Sequence, residues 1–196
     1  MKPLLLLLLL FAVINNIRLP QAQGTIPQPV LLTGTESDTV KHPVVQLQEI
    51  YIDTMNLVVI RDTADNSAEL NMRLGRDYGE LFTFINQSHL LPGKIMAFYY
   101  TSHWPFIFEA AVQTDKLPYC TKGRVKINKL PAGNALVAQY KGPYSQISIA
   151  YTALEDWLSA HNKKANGYPF EVYVSDPLVV KDSFELRTDV YQLLRE

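Results

Sequence analysis

Cysteine is almost absent from the chain: Cys120 is the only one in 196 residues, so no disulfide can form within it. A domain of this length can bury enough surface to stand without such staples, and Cys120 has no histidine near it in sequence to activate it as a nucleophile. Histidine is scarce too. His42, His89, His103 and His161 are scattered with no paired ligand spacing, so no metal centre is expected. The nine glycines make no phosphate-cradling or dinucleotide loop, and there is no nucleophile elbow and no H-E-x-x-H helix. Neither sign of charge dominates, with 18 lysines and arginines against 19 acids, and no local basic patch stands out, so nucleic acid is not an expected partner. What remains is ordinary globular material: 47% hydrophobic and 11% aromatic residues at a mean hydropathy of -0.02.

The one long hydrophobic run is at the start. Leu4 to Ile14 follows Lys2 and is broken by Asn15 and Asn16. As a helix it would span only about 16 Å, against about 30 Å for a bilayer core, which fits the apolar region of a secretory signal and not a permanent anchor. Small residues at Ala22 and Gly24 place cleavage near Ala22 or Gln23. Residues 1–23 therefore read as a signal peptide, and 24–43, with Pro27, Pro29, Gly34 and Pro43, as a linker. The expected mature protein is mildly acidic, bacterial, and secreted or periplasmic.

The rest, 44–196, reads as one domain of two repeats, about 44–115 and 122–194. Strands are expected at 44–52, 57–60, 95–101 and 106–112, with a helix over 68–87 whose Leu70, Leu74, Tyr78, Leu81, Phe82 and Ile85 form one apolar stripe. The same order recurs as strands at 124–130, 135–140, 170–174 and 184–193 around a helix at 145–162. Residues match as well: Asn56-Leu57-Val58-Val59 with Asn134-Ala135-Leu136-Val137, Tyr78 and Leu81 with Tyr151 and Leu154, and Gly93 with Gly167. Glu171 then matches Ala97. The expected fold is α+β: two pseudo-symmetric strand-strand-helix-strand-strand repeats with antiparallel sheet and a cleft between the halves. Alternation puts Phe170, Val172 and Val174 on one strand face, expected to meet the second helix, and Glu171 and Tyr173 on the other, expected to face the cleft.

The second repeat resembles the GyrI-like small-molecule-binding domain, the module that also serves as the effector-binding part of many AraC-type and MerR-type regulators. The resemblance lies in Ala138-Gln139-Tyr140-Lys141-Gly142-Pro143-Tyr144, the helix with Tyr151 and Trp157, Pro169-Phe170-Glu171-Val172-Tyr173, Asp176-Pro177, and Leu186-Arg187-Thr188-Asp189-Val190-Tyr191. In the first repeat, Phe106-Ile107-Phe108-Glu109-Ala110-Ala111-Val112 looks like the strand that ends the family's first repeat. The resemblance implies an aromatic cleft for flat or cationic organic molecules with an acidic residue in it, which Glu171 matches. Tyr99, Tyr140 and Tyr173 are the candidate walls, and Trp104 is a candidate to close the mouth. No helix-turn-helix precedes residue 44, so the chain is not expected to act as a transcription factor. The architecture is also similar to SOUL-type haem-binding proteins.

The function expected is non-catalytic capture of a small hydrophobic, aromatic or cationic ligand, with no cofactor. The alternatives are a hydrolase of electrophilic small molecules, with Glu171 as general base beside Tyr173 or Tyr140, and a haem-binding protein, for which His103 is the one loop candidate.

Overall fold

The computed structural model describes residues 41–195, so the expected signal peptide and all but the last three linker residues lie outside the described part. The order is β1 (Val44–Ile52), β2 (Met55–Ala64), α1 (Ser67–Gln87), β3 (Pro92–Tyr99), β4 (Phe106–Thr114), β5 (Lys126–Leu130), β6 (Gly133–Lys141), α2 (Ser148–Ala160), β7 (Phe170–Tyr173) and β8 (Arg187–Leu193). Short 3-10 turns occupy Tyr144–Gln146 and Ser183–Glu185. The latter replaces the start of the last expected strand, because the Asp182 carboxylate accepts the Phe184 backbone N–H and turns the chain before β8. Polar residues Arg61 and Asp62 do not end β2, since ion pairs of Asp62 with Arg73, Arg76 and Arg124 hold them within the ladder. Among the described residues no helix is long and apolar enough to cross a membrane.

All eight strands form one antiparallel sheet in the order β1-β6-β8-β7-β3-β4-β2-β5. The halves are thus continuous, joined by β3 on β7, and each repeat lends its first strand to the other: β1 pairs with β6, and β5 with β2. The registers bear out the strand matches between the repeats. Ala97 lies opposite Ala110 and Glu171 opposite Val190, while Ile60 lies opposite Ala110 and Ala138 opposite Val190. Glu171 is therefore the counterpart of Ala97, and Leu136 that of Val58.

Two short connections force the sheet to roll. Ile52 on edge strand β1 is three Cα steps from Met55 on β2, at most about 11 Å. Those strands are six places apart in the sheet, which is about 29 Å if flat. The same holds for Leu130 of β5 and Gly133 of β6. The rolled side encloses its own core, in which Phe98 stacks on Phe170 at 5.0 Å and Phe170 on Tyr191 at 5.1 Å, among Leu57, Val59, Met96, Val137 and Val172.

Both helices pack on the outer face, α1 over β2 and β4, α2 over β6, β1 and β8. Asn66 caps α1 by accepting the Glu69 N–H, and the Glu69 carboxylate accepts the Asp65 N–H in return. Leu74, Tyr78, Leu81 and Ile85 meet Val58, Ile60, Phe108 and Val112; Ala150 and Leu154 meet Leu136, Ala138 and Val190. Phe170 and Val172 consequently face away from α2, and Glu171 and Tyr173 face the helices, the reverse of the sequence expectation. Alternation alone cannot tell a core under a helix from a core inside a rolled sheet.

Truncating the stack is expected to be costly. Phe170→Ala should lower the unfolding free energy by about 3–5 kcal/mol, and Val174→Ala, half exposed beyond the end of β7, by no more than about 0.5 kcal/mol. Equal losses in a denaturant titration would contradict a core on this side.

Candidate functional site

The site lies on the outer face between the helices, over the seam of β3 and β7. Glu171 sits at the middle of β7 and is 6% exposed. Its Oε1 accepts a hydrogen bond from the Tyr151 hydroxyl of α2 at 2.8 Å. Among the described residues no lysine, arginine or histidine lies within ion-pair distance of it. Burial holds its carboxyl above the usual carboxylate range, opposed by the Tyr151 and Tyr173 hydroxyls, which stabilise the anion.

Five tyrosines gather round this carboxylate. Tyr99 and Tyr173 approach each other through their hydroxyl oxygens at 3.4 Å. Tyr78 of α1 meets the Tyr173 ring edge-on at 6.5 Å and donates its hydroxyl to the Met96 carbonyl at 2.8 Å. Tyr144, on the 3-10 turn, meets the same ring edge-on at 5.9 Å. Burial first, and then the Glu171 charge among the neighbouring groups, pushes the Tyr78, Tyr99, Tyr144, Tyr151 and Tyr173 hydroxyls up. All five phenols stay neutral, and Glu171 is the acid of the cluster.

The pseudo-symmetry explains the geometry. Tyr99 stands two residues beyond Ala97 as Tyr173 stands two beyond Glu171, and Ala97 and Glu171 are directly opposite across the seam. The helical counterparts Tyr78 and Tyr151 enter from α1 and α2. Of the residues singled out from sequence, the structure thus brings Glu171, Tyr99 and Tyr173 together. Tyr140 lies in the same cross-strand row as Tyr173, with Thr188 between them, but is fully buried under α2 with its hydroxyl committed to the Pro143 carbonyl at 2.8 Å. It holds the turn that delivers Tyr144 and does not join the cluster. A Cβ at Gly142 would fall 2.7 Å from the Tyr140 hydroxyl, so this close approach requires glycine there. Trp104 is 42% exposed, is joined to Pro105 by a cis peptide bond, and packs on Phe106 at 4.0 Å, which in turn meets Tyr99 at 6.2 Å. It is two aromatic contacts from Tyr99 and does not touch the carboxylate.

Tyr78, Tyr144 and Tyr151 were missed from sequence as site residues. The signal was present, because Tyr78 and Tyr151 match between the repeats, but a tyrosine inside an apolar helical stripe reads as core. His103 is on the exposed connection next to Trp104, and no group of three metal-ligating side chains occurs among the described residues. Cys120 is exposed and borders a groove of about 230 Å³ lined by Ser88, Leu90, Lys116, Leu117, Pro118 and Tyr119, none of which belongs to the tyrosine cluster.

With this geometry established, comparison with known proteins places the chain. The family model for the GyrI-like small molecule binding domain matches residues 50–195. The EcmrR C-terminal domain is similar in fold, with a TM-score of 0.64 at 18% identity over 78% of this chain and 99% of that one. EcmrR in its complex with DNA gives 0.61 at 18% identity over 81% of this chain, which spans only 60% of the EcmrR chain there. A hydrolase from Listeria innocua gives 0.58 at 11% identity, over 76% of this chain and 92% of that one. No curated protein matches the sequence significantly. The chain belongs to the GyrI-like small-molecule-binding family, and ligand binding is the general function that membership carries.

The raised carboxyl of Glu171 makes a stability prediction. A group whose pKa is higher in the folded than in the unfolded protein favours folding most at pH below the unfolded value, here near 4.5, and that contribution is lost as pH rises through the folded value. Glu171→Gln should therefore melt above the wild type at neutral and alkaline pH, and the gap should close as pH falls below about 4.5. A gap independent of pH would contradict the burial of an uncompensated carboxylate.

Proposed function

We propose that this GyrI-like chain captures a flat aromatic or cationic organic molecule between α1 and α2, with Glu171 as countercharge and Tyr78, Tyr99, Tyr144, Tyr151 and Tyr173 as the surrounding faces. The observation that carries this reading is a buried carboxylate with no cation beside it among the described residues, ringed by neutral phenols. Burying a charge unpaired is costly, and a ligand cation removes that cost while gaining attraction from the negative faces of the rings. Tyr151 now hydrogen-bonds the carboxylate, so a ligand reaching Oε1 has to displace that hydroxyl or share its acceptor. The leader and linker support an exported protein that performs this capture in the periplasm or outside the cell.

Hydrolysis is the second reading, favoured by a raised carboxyl held 2.8 Å from a tyrosine hydroxyl, an arrangement of general base and hydrogen-bond donor. The symmetry ranks it below capture: the position across the seam from Glu171 is Ala97, so no second carboxylate stands in that place to divide acid and base roles.

Calorimetric titration with a planar aromatic cation and its uncharged isostere tests the reading. Glu171→Gln should weaken the cation by about 30-fold or more, the scale of losing a partner from a buried charge pair, and leave the isostere little changed. Cation affinity should also fall as pH drops through the raised Glu171 value. Equal losses for both ligands would contradict the countercharge role, whereas product formation that Glu171→Gln abolishes while isostere binding survives would establish the hydrolase. For export, the intact mass of protein recovered from the cell envelope should correspond to a start near Ala22 or Gln23; retention of Met1 would contradict it.

A further inference from the structure

The rolled face of the sheet carries another buried carboxylate, Glu109 of β4. Glu109 is 7% exposed and accepts a hydrogen bond from the Asn128 side chain at 3.3 Å. Among the described residues no cation lies within ion-pair distance of it.

The pseudo-symmetry provides an internal comparison. Since Ala110 and Val190 are counterparts, Glu109 corresponds to Asp189, and Ile107 to Arg187. Asp189 is similarly buried at 5% exposure, but Arg187 holds it through two hydrogen bonds of 2.8 and 2.9 Å. The first repeat has the buried acid and an isoleucine where that arginine would stand.

Arg61, directly opposite Glu109 on β2, does not take over the role. Its guanidinium lies over the Tyr100 ring, 4.3 Å from the centroid. Tyr100 meets Tyr168 edge-on at 5.4 Å, and Arg61, Asn128 and Tyr168 are all exposed. Burial and the nearby Glu109 charge push the Tyr100 hydroxyl up to about 12, so it remains a neutral donor. Glu109 thus lies below an accessible aromatic rim.

We infer that Glu109, Tyr100 and Tyr168 form a second binding site, on the sheet face remote from Glu171, for a small molecule bearing a guanidinium group. Arg61 displays the chemistry the rim accepts, a planar delocalised cation on a tyrosine face. An exposed side chain can swing away, and the incoming guanidinium can both cover the ring and direct N–H donors at the carboxylate, a charge-assisted pairing that Arg61 does not make.

The test is a titration of the protein with arginine amide, followed by NMR. Shifts that saturate at Tyr100, Glu109 and Tyr168 are expected. They should persist in Glu171→Gln, weaken by about tenfold or more in Glu109→Gln, and strengthen severalfold in Arg61→Ala, which vacates the ring. If Glu109→Gln does not fold, Tyr168→Ala at an exposed position replaces it and should weaken binding severalfold. No saturating shift in either the wild type or Arg61→Ala at millimolar arginine amide would overturn the inference. So would shifts that vanish in Glu171→Gln, which would assign the ligand to the outer site, or that survive Glu109→Gln unchanged.

Discussion

Antiparallel pairing of β3 with β7 joins two repeats that would otherwise be separate four-stranded sheets, and it sets Ala97 directly opposite Glu171 at their junction. Each helix covers its own half, so the strip above this seam is bounded by both helices without being centred under either. Residues there receive side chains from α1, α2, β3, β7 and the turn before α2. Five tyrosines converge because two pairs, Tyr78 with Tyr151 and Tyr99 with Tyr173, are related by the repeat, and Tyr144 is added from one side. The acid is not duplicated, which gives a nearly symmetric aromatic enclosure one off-centre carboxyl group.

A second consequence of the seam is that both faces of the central strands are buried. Exchange of β1 and β5 between the halves, with two-residue connections back to β2 and β6, rolls the sheet until Phe98, Phe170 and Tyr191 stack on its inner side. The molecule therefore has two interiors, one inside the roll around the Phe98, Phe170 and Tyr191 stack and one beneath the helices that holds the tyrosine cluster. Buried acids occur on both faces. Asp189 is paired with Arg187 within its own strand, while among the described residues Glu171 and Glu109 have no cation within ion-pair distance.

Much of this was legible in the sequence. The repeat order, the helical stripe from Leu74 to Ile85 and the match of Glu171 to Ala97 all survive as spatial equivalences. Exchange of β1 and β5 could not be read, because strand pairing depends on partners far along the chain. The face of Phe170 and Val172 was misread for a related reason: an all-apolar set looks like the helix-facing side unless the sheet is known to bury its other side. Tyr140 and Tyr151 exchanged roles. Tyr140, in a strand beside the family-like Lys141-Gly142-Pro143 turn, proved a core residue bonded to Pro143, whereas Tyr151, within a helical stripe, bonds the carboxylate itself.

The central claim is that Glu171 is a buried carboxylate awaiting a cation. Carbon-13 NMR of its side-chain carboxyl, titrated with pH in the free protein and again with a saturating planar aromatic cation, tests it directly. The free carboxyl should titrate above its ordinary value of 4.5, and the bound cation should move the transition downward by stabilising the anion. A carboxyl that titrates at or below 4.5 in the free protein, or that the cation leaves unmoved, would contradict the account.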